Sequence, residues 1–217
     1  MEWELFAGVP EEDVRRLLAI ARRRTFDRGE IVFHRGDPAD CLHLIVSGRF
    51  AVGITTPLGA TALLGVRGPG DAFGELALLA REGAQRSATV AALEPAETRS
   101  VLVGDFERLR REHPGIDGLL ARLLGERVRR LSDRLTEAYY LPADKRVVRR
   151  VAELSELYGG EIPLAQEQVA ELAGTSRATT NRVLRDLERR GVVELRRGMV
   201  VVQDPDLLQR RGPADVN

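Results

Sequence analysis

Between Phe73 and Val90 four residues, Gly74, Glu75, Arg86 and Ser87, are spaced to hold a phosphate and the sugar attached to it. Arg86 offers a planar cationic fork and Ser87 a hydroxyl donor. Gly70 and Gly74 bracket a tight turn into a short apolar helix, Leu76 to Ala80, whose first amides are left free to face an anion. Glu75 begins that helix, and a carboxylate beside a phosphate serves best as an acceptor for sugar hydroxyls. A lone Gly-Glu or Arg-Ser pair would belong to an ordinary turn. Here the two pairs stand eleven residues apart and run into Ala88-Thr89-Val90. The chemistry on offer is binding of a ribose phosphate. No nucleophile, paired carboxylates or metal-ligand cluster stands out, so neither a catalytic residue nor enzyme activity is expected.

A cradle of this kind needs a rigid frame, and the flanking sequence supplies short apolar runs punctuated by turns. The runs are Ile31 to Phe33, Leu42 to Val46, Phe50 to Ile54, Thr61 to Val66, Ala88 to Ala92 and Thr98 to Val103. Between them lie glycine-bearing turns such as Asp27-Arg28-Gly29, Arg35-Gly36-Asp37-Pro38 and Ser47-Gly48-Arg49. That alternation predicts an antiparallel barrel or roll. Ahead of it, Pro10 and acidic residues begin an amphipathic helix with Val14, Leu17, Leu18 and Ala21 on one side. A short helical link, Asp105 to His113, follows the roll.

From Gly115 to Tyr140 the chain has helical periodicity and no interior proline. Ala121, Leu124, Val128, Leu131, Leu135 and Ala138 recur at alternating steps of 3 and 4, which is a coiled-coil seam and calls for a partner helix. Leu119, Leu120 and Leu123 form a second apolar face. The helix is therefore expected to lay one face on the roll and the other on a second copy of the chain, as a homodimer. Leu141-Pro142 breaks it, and Pro142 to Tyr158 makes a further helix with Val147, Val151, Leu154 and Leu157 inward, ended by Gly159-Gly160.

Next comes a helix over Leu164 to Ala173, a turn through Gly174-Thr175, and a second helix over Arg177 to Arg190 capped by Ser176. Val192 to Leu195 and Met199 to Val202 then form a small hairpin, giving a winged helix-turn-helix. On the second helix Val183, Leu184 and Leu187 share one side, while Ala178, Asn181, Arg182, Arg185 and Arg189 lie opposite, where a major groove would be. Seven arginines between Arg177 and Arg197 face three acids. A basic reading surface is thus hidden in a chain whose 33 basic and 33 acidic residues cancel. Asp204 to Asn217 shows no pattern that assigns it a role.

The single cysteine, Cys41, excludes an internal disulfide and a cysteine-ligated iron-sulfur cluster. His34, His43 and His113 fall at unrelated spacings and read as structural rather than as metal ligands. There is no cationic start followed by an apolar run and no stretch of 18 apolar residues, so no membrane partner is expected and the location expected is cytoplasmic.

Phe73-Gly74-Glu75-Leu76-Ala77-Leu78-Leu79 with Arg86-Ser87-Ala88-Thr89-Val90 resembles the phosphate-binding cassette of cyclic-nucleotide-binding domains, in particular those of the cyclic-AMP receptor and fumarate-nitrate regulator (Crp–Fnr) superfamily of bacterial transcription regulators. The resemblance implies an α+β chain with a cyclic-nucleotide-binding β-roll over residues 1–114, a dimerisation helix over 115–140 and a winged helix-turn-helix over 141–217. It implies ligand contacts at Gly74, Glu75, Leu76, Arg86 and Ser87, and base contacts from the long helix at Leu131 and, from the other subunit, Ser132. Cyclic-AMP responders of the family carry a threonine where this chain has Leu131, so the contact that senses the base is altered. Loss of one neutral hydrogen bond, roughly 0.5 to 1.5 kcal/mol, weakens such a site without abolishing it.

On the DNA side the resemblance gives Arg177, Ala178 and Arg182 as base-reading positions and Ser176 and Thr179 as phosphate contacts. At Ala178 the cyclic-AMP receptors have a glutamate that accepts from cytosine; alanine cannot do so, though its methyl can pack on thymine. Arg182 suits guanine and Asn181 adenine, with Arg185 on the same face. The implied partners are a two-fold symmetric, palindromic double-stranded DNA site with half-sites about one helical turn apart, a second copy of the chain, and RNA polymerase. No cofactor is required. For the effector three readings stay open: cyclic AMP first, another cyclic nucleotide, or an idle cassette in a dimer that leucine at 131 holds active without ligand. A regulatory subunit that binds a protein partner instead of DNA, and DNA binding without sequence preference, are the alternatives of other classes.

Overall fold

The computed structural model describes residues 6, 9–55, 61–79, 83–113 and 115–211. Contacts divide the chain into two compact units, one of residues up to Thr55 and from Leu64 to Leu131, the other mainly of the chain from Ser132 on.

In the first unit the described residues form two four-stranded sheets. Their strands are β1 (Arg22–Phe26), β2 (Ile31–Phe33), β3 (Cys41–Ser47), β4 (Phe50–Thr55), β5 (Thr61–Arg67), β6 (Ala72–Phe73), β7 (Thr89–Ala92) and β8 (Ala96–Leu102). The orders are β1-β8-β3-β6 and β2-β7-β4-β5. β8 runs antiparallel to β1 and β3, and β7 to β2 and β4. β3 is buried over five successive residues, Cys41 to Ile45, although successive side chains leave a strand on opposite faces. Both of its faces are covered. Leu42 and Leu44 join Leu17 of α1 (Glu11–Ile20), Phe106 and Leu109 of α2 (Val103–Glu112), and Ile116 and Leu119 of α3 (Ile116–Tyr140). Ile45 joins Phe26, Phe50, Phe73 and Val90 inside the roll.

His43 also faces inward. Its ring stacks on Phe73 at 4.9 Å, its Nδ1 lies 3.0 Å from Thr98 Oγ1 and its Nε2 lies 3.3 Å from Cys41 Sγ. Burial, and after it the charge of Arg86, pulls its pKa down to about 3, so the ring is neutral near pH 7. Gly48 makes the turn from β3 to β4 at φ +75°, where a Cβ would stand 2.5 Å from the Cβ of Ala96. Only glycine fits there.

Two strands escape the apolar pattern. β1 reads Arg22-Arg23-Arg24-Thr25-Phe26 and is exposed except at Phe26; it lies at a sheet edge, where Arg23 pairs with Glu97 of β8 at 2.7 Å. β6 is only two residues long. α3 has the two faces its spacing implies: Ile116, Leu119, Leu120 and Leu123 are buried in the first unit's core, while Val128, Leu131 and Leu135 are 63, 51 and 56% exposed.

The second unit holds α4 (Ala143–Tyr158), β9 (Glu161–Ile162), α5 (Gln166–Ala173), α6 (Arg177–Arg189), β10 (Val193–Arg196), β11 (Met199–Val202) and α7 (Pro205–Arg211). The wing is a three-stranded sheet in the order β10-β11-β9, one strand more than the hairpin expected. Val147, Val151 and Leu154 of α4 are buried, with Leu157 half-buried. α4 ends on left-handed Gly159. Arg150, 1% exposed, donates to Glu153 at 2.8 Å and pairs with Glu137, which also meets Arg149 at 2.9 Å. This buried network ties the last turns of α3 to α4. α7 corrects the blank reading of the tail: Asp204 Oδ1 accepts from the Leu207 amide at 2.8 Å, and Leu208 is 1% exposed. Residues 212–217 lie outside the described residues.

Candidate functional site

The cradle is built where β6 runs into a 3-10 turn, Glu75–Leu79, and where β7 begins. Ala80, expected at the end of that turn, lies outside the described residues. Gly74 takes φ +82°, and a Cβ there would stand 2.7 Å from Arg86 Nη1 and 3.0 Å from the Cys41 carbonyl oxygen. The glycine thus sets the turn and also makes room for the arginine. Among the described residues the amides of Glu75 and Leu76 have no backbone acceptor, and the first bond of the turn runs from the Ala77 amide to the Gly74 carbonyl at 3.0 Å. Gly74, Glu75, Leu76, Arg86 and Ser87 all line one cavity of about 40 Å³. Space of that size holds a water molecule or two.

Arg86 largely fills the cradle itself. Nη1 donates to the Cys41 carbonyl at 2.7 Å, Nη2 donates to Asp40 at 2.9 Å and lies 3.2 Å from Cys41 Sγ, and the guanidinium sits 4.1 Å over the Phe33 ring. Among the described residues its buried Nε has no acceptor. Burial pushes Asp40 up, but the Cys41 hydrogen bond and the Arg86 charge outweigh it and leave the carboxyl below its usual range. Burial, first among several causes, pushes the Cys41 thiol up, so it stays protonated near neutral pH. Glu75 is buried and faces Arg127 of α3, Nε to Oε1 3.7 Å. A phosphate fits this donor set: a buried cationic fork with one N–H unmet, two helix-start amides and a hydroxyl, with a carboxylate alongside for the sugar.

A second cavity of about 280 Å³ shares Arg67, Ala72, Glu75 and Arg127 with the cradle and adds Asp71, Glu126 and Arg130. Arg130 donates to Asp71 at 3.0 Å. Leu131 and Ser132 are exposed on α3 and line neither cavity. The structure therefore gathers five of the seven expected ligand residues and leaves the two helix positions apart.

The reading surface is α6. Gly174 closes α5 at φ +58°, and Arg146 caps that end by donating to the carbonyls of Ala173 at 2.9 Å and Gly174 at 3.0 Å. Ser176 Oγ accepts from the Thr179 amide at 3.1 Å, so this residue is the N-cap. Thr180, Val183, Leu184 and Leu187 are buried, while Arg177, Ala178, Asn181, Arg182, Arg185 and Arg189 stand exposed. Arg185 pairs with Glu188 at 2.8 Å and Arg189 with Asp186 at 3.2 Å. Arg177, Asn181 and Arg182 make no side-chain hydrogen bond among the described residues, so their donors face water. Glu188 Oε1 also accepts from the Leu195 amide at 3.0 Å, fixing α6 to the wing.

The family description "cyclic nucleotide-binding domain" matches residues 23–113, and "Crp-like helix-turn-helix domain" matches residues 145–211. The cyclic AMP receptor protein of Thermus thermophilus is 36% identical over 208 residues, covering 94% of each chain. The CRP-like cAMP-activated global transcriptional regulator of Mycobacterium tuberculosis is 32% identical over 218 residues, covering 95% of each. This chain belongs to the Crp–Fnr superfamily. The structure of the c-di-GMP responsive global regulator CLP of Xanthomonas campestris superposes with a TM-score of 0.77 at 23% identity, over 89% of this chain and 99% of that one, and shows the shared fold.

As a Crp–Fnr protein the chain is a DNA-binding transcription regulator with a cyclic-nucleotide-binding domain, from a family of regulators and not of enzymes. Among the described residues no group of side chains is arranged to hold a metal ion, and no helix is long and apolar enough to cross a membrane. Sequence reading of this Crp–Fnr chain missed Arg127, Arg67, Asp40 and the Cys41 carbonyl. For Arg127 a signal existed, since it follows Leu123 by four residues and so shares the helix face turned to the roll.

Proposed function

We propose that this Crp–Fnr protein is a homodimeric, sequence-specific regulator whose DNA affinity is set by a cyclic nucleotide held in the cradle. The observation that carries the reading is the inward Arg86, a buried arginine with an unmet Nε–H beside Gly74, Glu75 and Ser87. Cyclic AMP is the first ligand to test, because two relatives similar over nearly their whole length carry it in their names. The dimer reading is supported by Val128, Leu131 and Leu135, large apolar side chains in heptad-like spacing that are more than half exposed in the single chain. Residues 1–114 form the sensor, 115–140 the dimer helix and 141–217 the reader. Binding to a palindromic DNA site places the work in the cytoplasm, with RNA polymerase as the protein partner.

A ligand shifts such a dimer only through different affinities for its two arrangements. Ser132 offers that difference if the partner's copy reaches the bound base. A second reading is favoured by Leu131, which at 51% exposure sits in the seam: leucine there stabilises the paired helices without ligand, giving constitutive DNA binding. Calorimetric titration of cyclic nucleotides into wild-type protein, with Arg86→Ala as control, separates the two. Heat with the wild type alone supports the sensor. Its absence from every cyclic nucleotide, with palindrome-specific gel shifts retained, rejects the sensor and leaves the constitutive regulator.

A further inference from the structure

Arg67 ends β5 with its side chain turned inward, 8% exposed, and it walls both the cradle and the 280 Å³ cavity beside it. Strand alternation puts it on the same face as Gly65. The missing side chain at Gly65 leaves the room its guanidinium occupies, since a Cβ there would stand 3.0 Å from Nη1. The other arginines lining these cavities each have a carboxylate: Arg86 has Asp40 at 2.9 Å, Arg127 has Glu75 at 3.7 Å and Arg130 has Asp71 at 3.0 Å. Arg67 makes one hydrogen bond among the described residues, from Nη1 to the carbonyl of the neighbouring Val66 at 3.2 Å. Burial, then the nearby Arg130, lowers its pKa to about 10, which still leaves it charged at pH 7. An arginine carries five N–H donors, and those that Arg67 leaves free among the described residues open on the cavity it lines, where they can meet an acceptor.

The phosphate and ribose of every cyclic nucleotide are alike, so Gly74, Glu75, Arg86 and Ser87 cannot choose the base. Beyond Glu75, the residue that suits the ribose, the space is the cavity that Arg67 lines. Guanine presents O6 and N7 side by side to an arginine fork, whereas adenine sets an amino donor beside N7 and so opposes one of the fork's own donors. We propose that Arg67 reads the base of the bound cyclic nucleotide and favours a 6-oxo purine, so that this site takes cyclic GMP at least as tightly as cyclic AMP. The inference rests on the cyclic-nucleotide reading of the cradle.

The test is calorimetric titration of the full-length protein with cyclic AMP, cyclic GMP and cyclic IMP, for the wild type and for Arg67→Met, which keeps an unbranched stem in the buried position. The expected result is wild-type affinity for cyclic GMP and cyclic IMP equal to or above that for cyclic AMP. In Arg67→Met the two 6-oxo nucleotides weaken on the order of tenfold and cyclic AMP much less. The wild-type comparison needs no variant and stands even if Arg67→Met fails to fold. Tighter wild-type binding of cyclic AMP than of both 6-oxo nucleotides, or equal losses for all three in Arg67→Met, overturns the role of Arg67 and leaves the cradle reading intact. Absence of binding by any of the three overturns both.

Discussion

The cradle and the reading helix are both built on arginines, yet they hold them in opposite states. Arg86 has a side chain only 4% exposed and is committed to Cys41, Asp40 and the Phe33 ring. Arg177 and Arg182 of α6 stand in water without a partner among the described residues. The difference follows from the ligand each meets. A small anion is surrounded by its site, so the cation that binds it is buried and, before the ligand comes, held by internal partners that leave only part of its fork unmet. DNA is a surface met by a surface, and its readers can wait solvated at little cost. Nucleotide entry must therefore exchange internal partners of Arg86, next to a ring cluster in which Phe33, Phe73 and His43 touch. DNA docking on α6 needs no such exchange, and that asymmetry makes the roll the place where a signal can start.

The sharpest way to break the comparison is Arg86→Ala. Charged hydrogen bonds contribute roughly 1.5 to 3 kcal/mol each, so nucleotide affinity should fall on the order of 100-fold or more in calorimetry. A loss below about threefold would mean that Arg86 stays with Cys41 and Asp40 when ligand is bound. On the other side, Arg182→Ala should lose roughly 1 to 3 kcal/mol of discrimination between specific and random DNA, with protein stability nearly unchanged because the side chain is exposed. Competition gel shifts measure it. An equal loss on both DNAs would make Arg182 a phosphate contact and remove it from base reading.

The same contrast governs what could be read in the sequence. α6 was legible because its signals are local: a serine cap, left-handed glycine before it and three buried aliphatic side chains within five residues, Val183 to Leu187. The cradle was legible only in its own segment. Asp40 and Cys41 reach Arg86 across 46 and 45 residues, and Arg127 meets Glu75 from another element altogether. No period or spacing in one chain reports such pairings. Arg67 was hidden differently: followed by Gly68-Pro69-Gly70 it looks like a turn arginine, and only β5 alternation with Gly65 turns it inward. β1 and α7 failed for local reasons, since three successive arginines mask an edge strand and the Asp204-Pro205 start is diluted by charge around it.

A third experiment tests how tightly the cradle is bound to the roll's core. His43 has a folded pKa near 3 against 6.5 for the free side chain, chiefly from burial and next from Arg86. Between those values the unfolded chain takes up a proton that the native ring refuses, so stability is full above pH 6.5 and falls as pH drops toward 3. The slope reaches about 1.4 kcal/mol per pH unit. Denaturant unfolding from pH 7 to 5 should show the wild type losing about 2 kcal/mol more than His43→Gln. Parallel pH profiles for the two proteins would place the His43 ring in contact with water.

The smallest expected effect separates stability from binding on α6, which the cradle does not permit. Ser176 Oγ caps the helix by accepting from the Thr179 amide at 3.1 Å, and the residue is exposed, which leaves it open to the phosphate contact proposed for it. Ser176→Ala removes the cap and should cost about 1 kcal/mol of unfolding free energy. Ser176→Asp keeps an N-cap acceptor and adds a charge that the helix start favours, so stability should match the wild type. That same charge repels phosphate, and DNA binding should weaken more in Ser176→Asp than in Ser176→Ala, the reverse of their order in stability. If DNA affinity instead tracks stability through the pair, Ser176 acts only as a cap and the phosphate contact lies elsewhere on the helix start.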